Sequence, residues 1–135
     1  MMQEMVGAIE PPFSMAGTIP MRVVEVEEGK VVIESEPGEQ LLQPGGLVHG
    51  GYAMTLIDSA AGGAANTLRP DGALLSTLET KVNLVRAIRL DTGPVRAIGT
   101  LVSAGRRVIV TEARIVDADD RLLAHGTSTL LLTLP

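Results

Sequence analysis

The chain has 135 residues, 45% of them hydrophobic and 20% charged, enough to bury the core of one globular domain. Its net charge of −5 and pI of about 4.9 set any nucleic-acid surface against the overall field, and one Tyr, one Phe and no Trp leave little for bases to stack on. With no cysteine, two well-separated histidines and no H-E-x-x-H helix, neither a disulfide framework nor a metal site is expected.

The opening "MMQEMVGAIEPPF" lacks a basic segment followed by a long apolar stretch, so neither a signal peptide nor a membrane anchor is expected, and the cytoplasm is the expected location. Residues 1–15 are expected to be poorly anchored. Next, "MRVVEVEEGKVVIESEP" places two β-branched runs about a Glu-Gly turn, the pattern of a β-hairpin. The Gly- and Pro-rich loop "PGEQLLQPGGLVHGG" leads into residues 50 to about 66, whose Ala, Leu and Met content predicts the one long helix, ended by "RPDG". Four segments rich in Val, Ile, Leu and Thr follow, at roughly 74–87, 94–103, 106–117 and 121–133. They are broken by "DTGP", "SAGRR" and "DADDR", and they read as a meander. Neither repeats nor linkers divide residues 1–135, so a single domain is expected.

Alternation assigns faces. In "LLSTLETKVNL" the set Ser76, Leu78, Thr80, Val82 and Leu84 is mostly apolar and Thr77, Glu79, Lys81 and Asn83 are polar, which points Ser76 inward. In the last strand Leu122, Ala124, Gly126, Ser128, Leu130 and Leu132 share a face, leaving His125 outside with Thr127 and Thr129.

Asp58 is the one acidic residue of the predicted helix. Its helical neighbours are Met54, Ala61, Gly62 and Ala65, so the helix is apolar nearly all round and is expected to be buried against the sheet. An unpaired buried carboxylate is costly, so Asp58 needs compensation. One reading is a structural Asp bonded to a neighbouring backbone or to Thr55 and Ser59. The other begins at the helix start, where His49-Gly50-Gly51 offers free N–H groups and the positive end of the dipole to a developing oxyanion. A carboxylate two turns on, facing the same cavity, would complete the pair that acyl transfer requires: a base or nucleophile and an oxyanion donor. No Ser/His/Asp signature is present.

The run "QPGGLVHGGYAMTLIDSA" resembles the signature of hotdog-fold acyl-coenzyme A thioesterases, in particular the group similar to the phenylacetate-pathway thioesterase. Gln43 precedes His49 by six residues and Asp58 follows it by nine, as in that family, and the order hairpin, loop, long helix, four strands also matches from about residue 20 onward. The resemblance implies an α+β hotdog fold, a curved antiparallel sheet wrapped around one long central helix. It implies that the Gly50 N–H polarises the thioester carbonyl, that Asp58 is nucleophile or general base, and that Gln43 and His49 orient substrate and loop. Ser76 lies where some members place a serine that positions water, and Gly51 and Thr77 are implied as substrate contacts. Two departures stand out: Gly62 replaces a water-holding Thr, and Ala87 replaces the Pro that usually follows the strand-three Arg.

The implied partner is an acyl-coenzyme A substrate, with no cofactor, and the implied assembly is a homodimer or homotetramer with its sites between subunits. Coenzyme A phosphates call for cations, and Arg106 and Arg107 in "GRR" are the first candidates, ahead of Arg86, Arg89 and Arg69; a solvated turn is the alternative for the "GRR" pair. For an aryl substrate only Tyr52 and Phe13 could stack. A hotdog domain that binds acyl-coenzyme A or an acyl carrier without cleaving it is the second reading. A related hydratase would need an Asp-x-x-x-x-His pair that this helix lacks.

Overall fold

A computed structural model describes residues 15–135. Phe13, and the expectation for the first fifteen residues apart from Met15, fall outside the described part. A short helix, α1 (Met15–Thr18), leads into the expected hairpin. Strands β1 (Arg22–Glu27) and β2 (Lys30–Ser35) pair antiparallel across Glu28 and Gly29. Gly29 has φ +78°, a conformation that glycine adopts without steric cost, and its carbonyl accepts from the Leu101 N–H.

Helix α2 (Gly50–Asn66) follows, then β3 (Leu74–Leu84), β4 (Val95–Ala104), β5 (Val108–Val116) and β6 (Leu122–Thr133). All six strands form one antiparallel sheet of order β1-β2-β4-β5-β6-β3. The expected meander is therefore correct only for β4, β5 and β6. β3 does not pair with β4; it pairs with β6 at the far edge, because β2 already occupies the other side of β4. The result is the hotdog arrangement, with the sheet curved about α2.

Small residues let the helix lie close to the sheet. Ala53, Ala60, Ala61, Ala64 and Ala65 are buried along α2, with Leu56 and Ile57 filling the space between them. A Cβ on Gly99 would stand 2.0 Å from the Ala60 carbonyl oxygen, so only a glycine permits that approach of strand to helix backbone. The core then extends through Val31, Ile33, Val95, Ala97, Ile115 and Leu123.

Burial of α2 is one-sided. Tyr52, Leu56 and Ala60 face the sheet and are buried, whereas Met54 and Asp58 are exposed. The expectation of a helix enclosed all round is thus corrected for the single chain: its own sheet covers one face, and the Met54–Asp58 face stays open. Alternation on β6 is as read from Ala124 onward, with Ala124, Gly126, Ser128, Leu130 and Leu132 buried and His125 and Thr127 exposed, but it is corrected at Leu122, which is exposed while Leu123 is buried because the pairing with β5 shifts there. Among the described residues no helix is long and apolar enough to cross a membrane.

Candidate active site

The loop before α2 builds its own frame from Gln43 and His49. Gln43 Oε1 accepts from the Gly45 N–H at 2.9 Å, and its backbone closes the same turn through the Leu47 carbonyl and the Gly46 N–H. The amide NH2 of Gln43 remains a donor on the wall of a groove of about 460 Å³, shared with His49, Gly50, Leu84 and Arg86. His49 is the N-cap of α2, and its Nδ1 accepts from the Gly51 N–H at 2.8 Å. The ring proton of the neutral imidazole is therefore on Nε2.

That cap consumes the N–H of Gly51, so Gly51 offers substrate no backbone donor. The Tyr52 N–H turns back to the His49 carbonyl. The N–H of Gly50 has no partner among the described residues, so at the positive end of the helix it is the donor left for an external oxygen. Tyr52 is only 2% exposed and donates its hydroxyl to Ser35 Oγ at 2.6 Å; Ser35 in turn donates to the Pro20 carbonyl. Burial pushes the Tyr52 phenol up to about 12. The tyrosine is a tie between helix, β2 and the segment before β1, and it is not open to stack on an aryl group.

Asp58 lies in the third turn of α2, in a second groove of about 500 Å³. The groove has apolar walls in Met15, Met54, Leu78 and Val82, and a polar floor in Asp58, Thr77 and Thr80. Thr77 Oγ1 donates to Asp58 Oδ1 at 3.0 Å, and Thr80 Oγ1 approaches the same oxygen at 3.4 Å. Asp58 Oδ2 has no partner among the described residues. Neither Thr55 nor Ser59 holds the carboxylate; Thr55 Oγ1 donates to the Gly51 carbonyl instead.

A bulge decides which strand residues reach Asp58. Thr77 pairs with Leu130 and Glu79 with Thr129, leaving Leu78 as the extra residue and shifting the alternation by one. Leu75 packs on the core beside Leu130, so Leu75 and Thr77 share the helix side with Thr80 and Val82. Ser76 falls on the opposite face and is exposed, which corrects its expected inward orientation and removes it from the Asp58 groove. Its neighbour Thr77 takes the position instead. Thr77 and Thr80 lie three apart, a spacing that reaches one face of a strand only across such an extra residue.

The two grooves share no lining residue. Gly50 and Asp58 are separated by eight helical residues, about 12 Å at 1.5 Å per residue. One carbonyl group cannot bridge that span, so the expectation that both face one cavity of the same chain is also corrected. Arg106 and Arg107 occupy the exposed β4–β5 turn, beside strand ends that pack on Ala65 near the C-terminal end of α2. They lie at the opposite end of the helix from Gly50, and Arg86 is the cation on the Gly50 groove. No group of three or more His, Asp or Glu side chains among the described residues is placed to hold a metal ion.

Comparison with known proteins bears on the same elements. The chain is 34% identical over 129 residues to a candidate esterase of Saccharolobus solfataricus, across 93% of this chain and 90% of that one. It is 32% identical over 114 residues to the 1,4-dihydroxy-2-naphthoyl-CoA hydrolase of Listeria monocytogenes, across 84% and 90%. Its fold superposes on a mutant of the phenylacetic acid degradation protein of Thermus thermophilus with a TM-score of 0.79, at 26% identity, covering 90% of this chain and 98% of that one. The profile of the thioesterase superfamily matches residues 45–124, a span that starts in the Gln43–His49 loop, takes in the whole of α2 and runs into β6, and the chain belongs to that superfamily.

Proposed function

We propose that the chain is an acyl-coenzyme A thioesterase, hydrolysing the thioester to a free acid and coenzyme A. The observation that carries this reading is the state of Asp58: one carboxylate oxygen held by strand hydroxyls, the other open in a groove with apolar walls. Such a group is poised to take a proton from water beside a bound acyl carbonyl. The kinship with a hydrolase of an aryl-coenzyme A supports the substrate class, and Met and Leu walls accept aliphatic and aryl groups alike.

The second part of the chemistry is the Gly50 N–H, which would bind the oxyanion as the carbonyl is attacked. Because about 12 Å of helix separates it from Asp58, the working site pairs Gly50 of one chain with Asp58 of another. An 11-residue edge strand, β3, supports that assembly: it pairs with β6 on one side only among the described residues. It also carries exposed Leu74, Leu78 and Leu84, next to exposed Met54 on the open face of α2. In a homodimer joined there, Gln43 and the His49 Nε2–H line the oxyanion end, and Thr77 orients Asp58. Arg86, or Arg106 and Arg107 of either chain, would meet the coenzyme A phosphates.

The test is thiol release from a panel of short, medium and aryl acyl-coenzyme A thioesters, by wild type and Asp58→Asn. Hydrolysis by wild type, with kcat lower by at least about 10²-fold in the folded variant, is expected. A wild type that binds the panel but cleaves none of it would make the chain a binding domain.

A further inference from the structure

Three hydroxyls run in a row from Asp58 into the core. Thr80 on β3 lies opposite Ser128 on β6, and Ser128 lies opposite Thr111 on β5. Ser128 is 1% and Thr111 0% exposed, and Thr111 Oγ1 has no hydrogen-bond partner among the described residues. Aliphatic side chains at such positions would pack without desolvating an oxygen.

Of the three, Thr80 and Ser128 are hydrogen-bonded toward the carboxylate. Thr80 Oγ1 is 3.4 Å from Asp58 Oδ1 and 3.2 Å from Ser128 Oγ, and Ser128 Oγ is 3.3 Å from the Glu79 carbonyl oxygen. Each hydroxyl has a single proton; were Thr80 to donate to Asp58 and Ser128 to the Glu79 carbonyl, no proton would lie between the two hydroxyl oxygens at 3.2 Å, so two arrangements that keep that contact bonded compete. In one, Ser128 donates to Thr80 and Thr80 to Asp58. In the other, Thr80 donates to Ser128 and Ser128 to the Glu79 carbonyl, abandoning Asp58. A hydrogen bond to an ionised carboxylate is stronger than one to a neutral oxygen, so ionised Asp58 selects the first arrangement. With Thr77 also donating, both lone pairs of Oδ1 are then occupied.

We propose that Thr80, backed by Ser128, is a positioning residue that confines proton exchange to Asp58 Oδ2. The inference rests on the reading of Asp58 as general base. Water gives its proton to Oδ2 as its oxygen bonds to the thioester carbon and the carbonyl π pair moves onto oxygen. When the carbonyl reforms, the C–S bond breaks and the sulfur takes that proton from Oδ2. Occupied Oδ1 keeps the carboxyl from turning its proton away from the groove between the two steps. No proton leaves through the hydroxyl row.

The experiment compares Thr80→Val, Thr80→Ser and Ser128→Ala in wild-type and Asp58→Asn backgrounds, with kcat, KM and melting temperature measured for each. In the wild-type background Thr80→Val should lower kcat about tenfold, the worth of one hydrogen bond to a charged group, with KM little changed. Thr80→Ser should recover most of that loss, and Ser128→Ala should lower kcat in the same direction by a smaller factor. In the Asp58→Asn background neither Thr80→Val nor Ser128→Ala should reduce the residual rate further. If Thr80→Val does not fold, Ser128→Ala and Thr80→Ser carry the comparison, since each leaves its neighbour a partner. Wild-type kcat in Thr80→Val or Ser128→Ala, or equal losses with and without Asp58, would overturn the positioning role while leaving Asp58 in place. Full activity in Asp58→Asn would overturn the parent reading and the hydroxyl row with it.

Discussion

Whether the working site draws on two chains can be tested by complementation. The two perturbations are Asp58→Asn and Gly50→Pro. Gly50 is the first residue of α2, where proline is tolerated because its missing N–H has no helical partner. The preceding His49 has φ −59° and ψ 137°, already in the range that a following proline demands. A Cβ at position 50 would meet Leu84 Cδ1 at 3.0 Å, the tip of a side chain that is itself 54% exposed and can turn aside. Gly50→Pro therefore removes the donor, and puts the ring Cδ where the N–H pointed, without breaking the helix. Loss of one oxyanion donor should cost about 10²-fold or more in kcat, comparable to Asp58→Asn.

Each homodimer of either variant then has two damaged sites. A mixed dimer has one site with both substitutions and one with neither, provided Gly50 and Asp58 meet across the interface. Random pairing of equal amounts puts half of the chains in mixed dimers, with half of their sites intact, so activity per site should recover to about a quarter of wild type. Co-expression with two affinity tags, thiol release on the purified mixture, and circular dichroism of each variant alone would measure it. Activity no higher than the average of the two homodimers would refute the composite site, because Gly50 and Asp58 would then act within one chain.

Three further outcomes follow from the packing and the ionisable groups. Gly99→Ala should destabilise the fold by about 3 kcal/mol or lose it outright, since the new Cβ would lie 2.0 Å from the Ala60 carbonyl oxygen; an unchanged melting temperature would refute that contact. Tyr52→Phe should cost about 1 kcal/mol at neutral pH, because Ser35 keeps its bond to Pro20. At alkaline pH the difference should shrink and reverse. An unfolded tyrosine ionises near 10.0 and folded Tyr52 only at about 12, so wild-type stability falls as pH rises through that window, which melting curves of the two proteins would resolve. On the acid side, the Arg121 backbone N–H, and then the Arg121 guanidinium and the Asp119 N–H, hold the Asp117 carboxyl below its ordinary range against the opposing effect of burial. Its contribution is present above the unfolded value near 3.8 and lost as pH falls below it, so Asp117→Asn should flatten the acid limb of the melting profile.

What could be read from the chain alone was local. The Glu-Gly hairpin, the helix bounds at 50 and 66, and the β6 alternation from Ala124 onward follow from turn chemistry, helix propensity and side-chain period, all set by neighbouring residues. The spacing of Gln43, His49 and Asp58 was legible too, and so was the hotdog fold that it implied. Tertiary structure decided the rest. The bulge at Leu78 comes from pairing with β6, some fifty residues away in sequence, and it turned Thr77 toward Asp58 and Ser76 away, reversing the alternation read from "LLSTLETKVNL" before the bulge while Thr80 and Val82 beyond it face the helix as read. The place of β3 beside β6 depended on β2 having taken the flank of β4. An apolar helix suggested a buried Asp58, but one curved sheet can cover only one side of a helix, so the single chain leaves Asp58 open in a groove of its own, two turns from the Gly50 N–H.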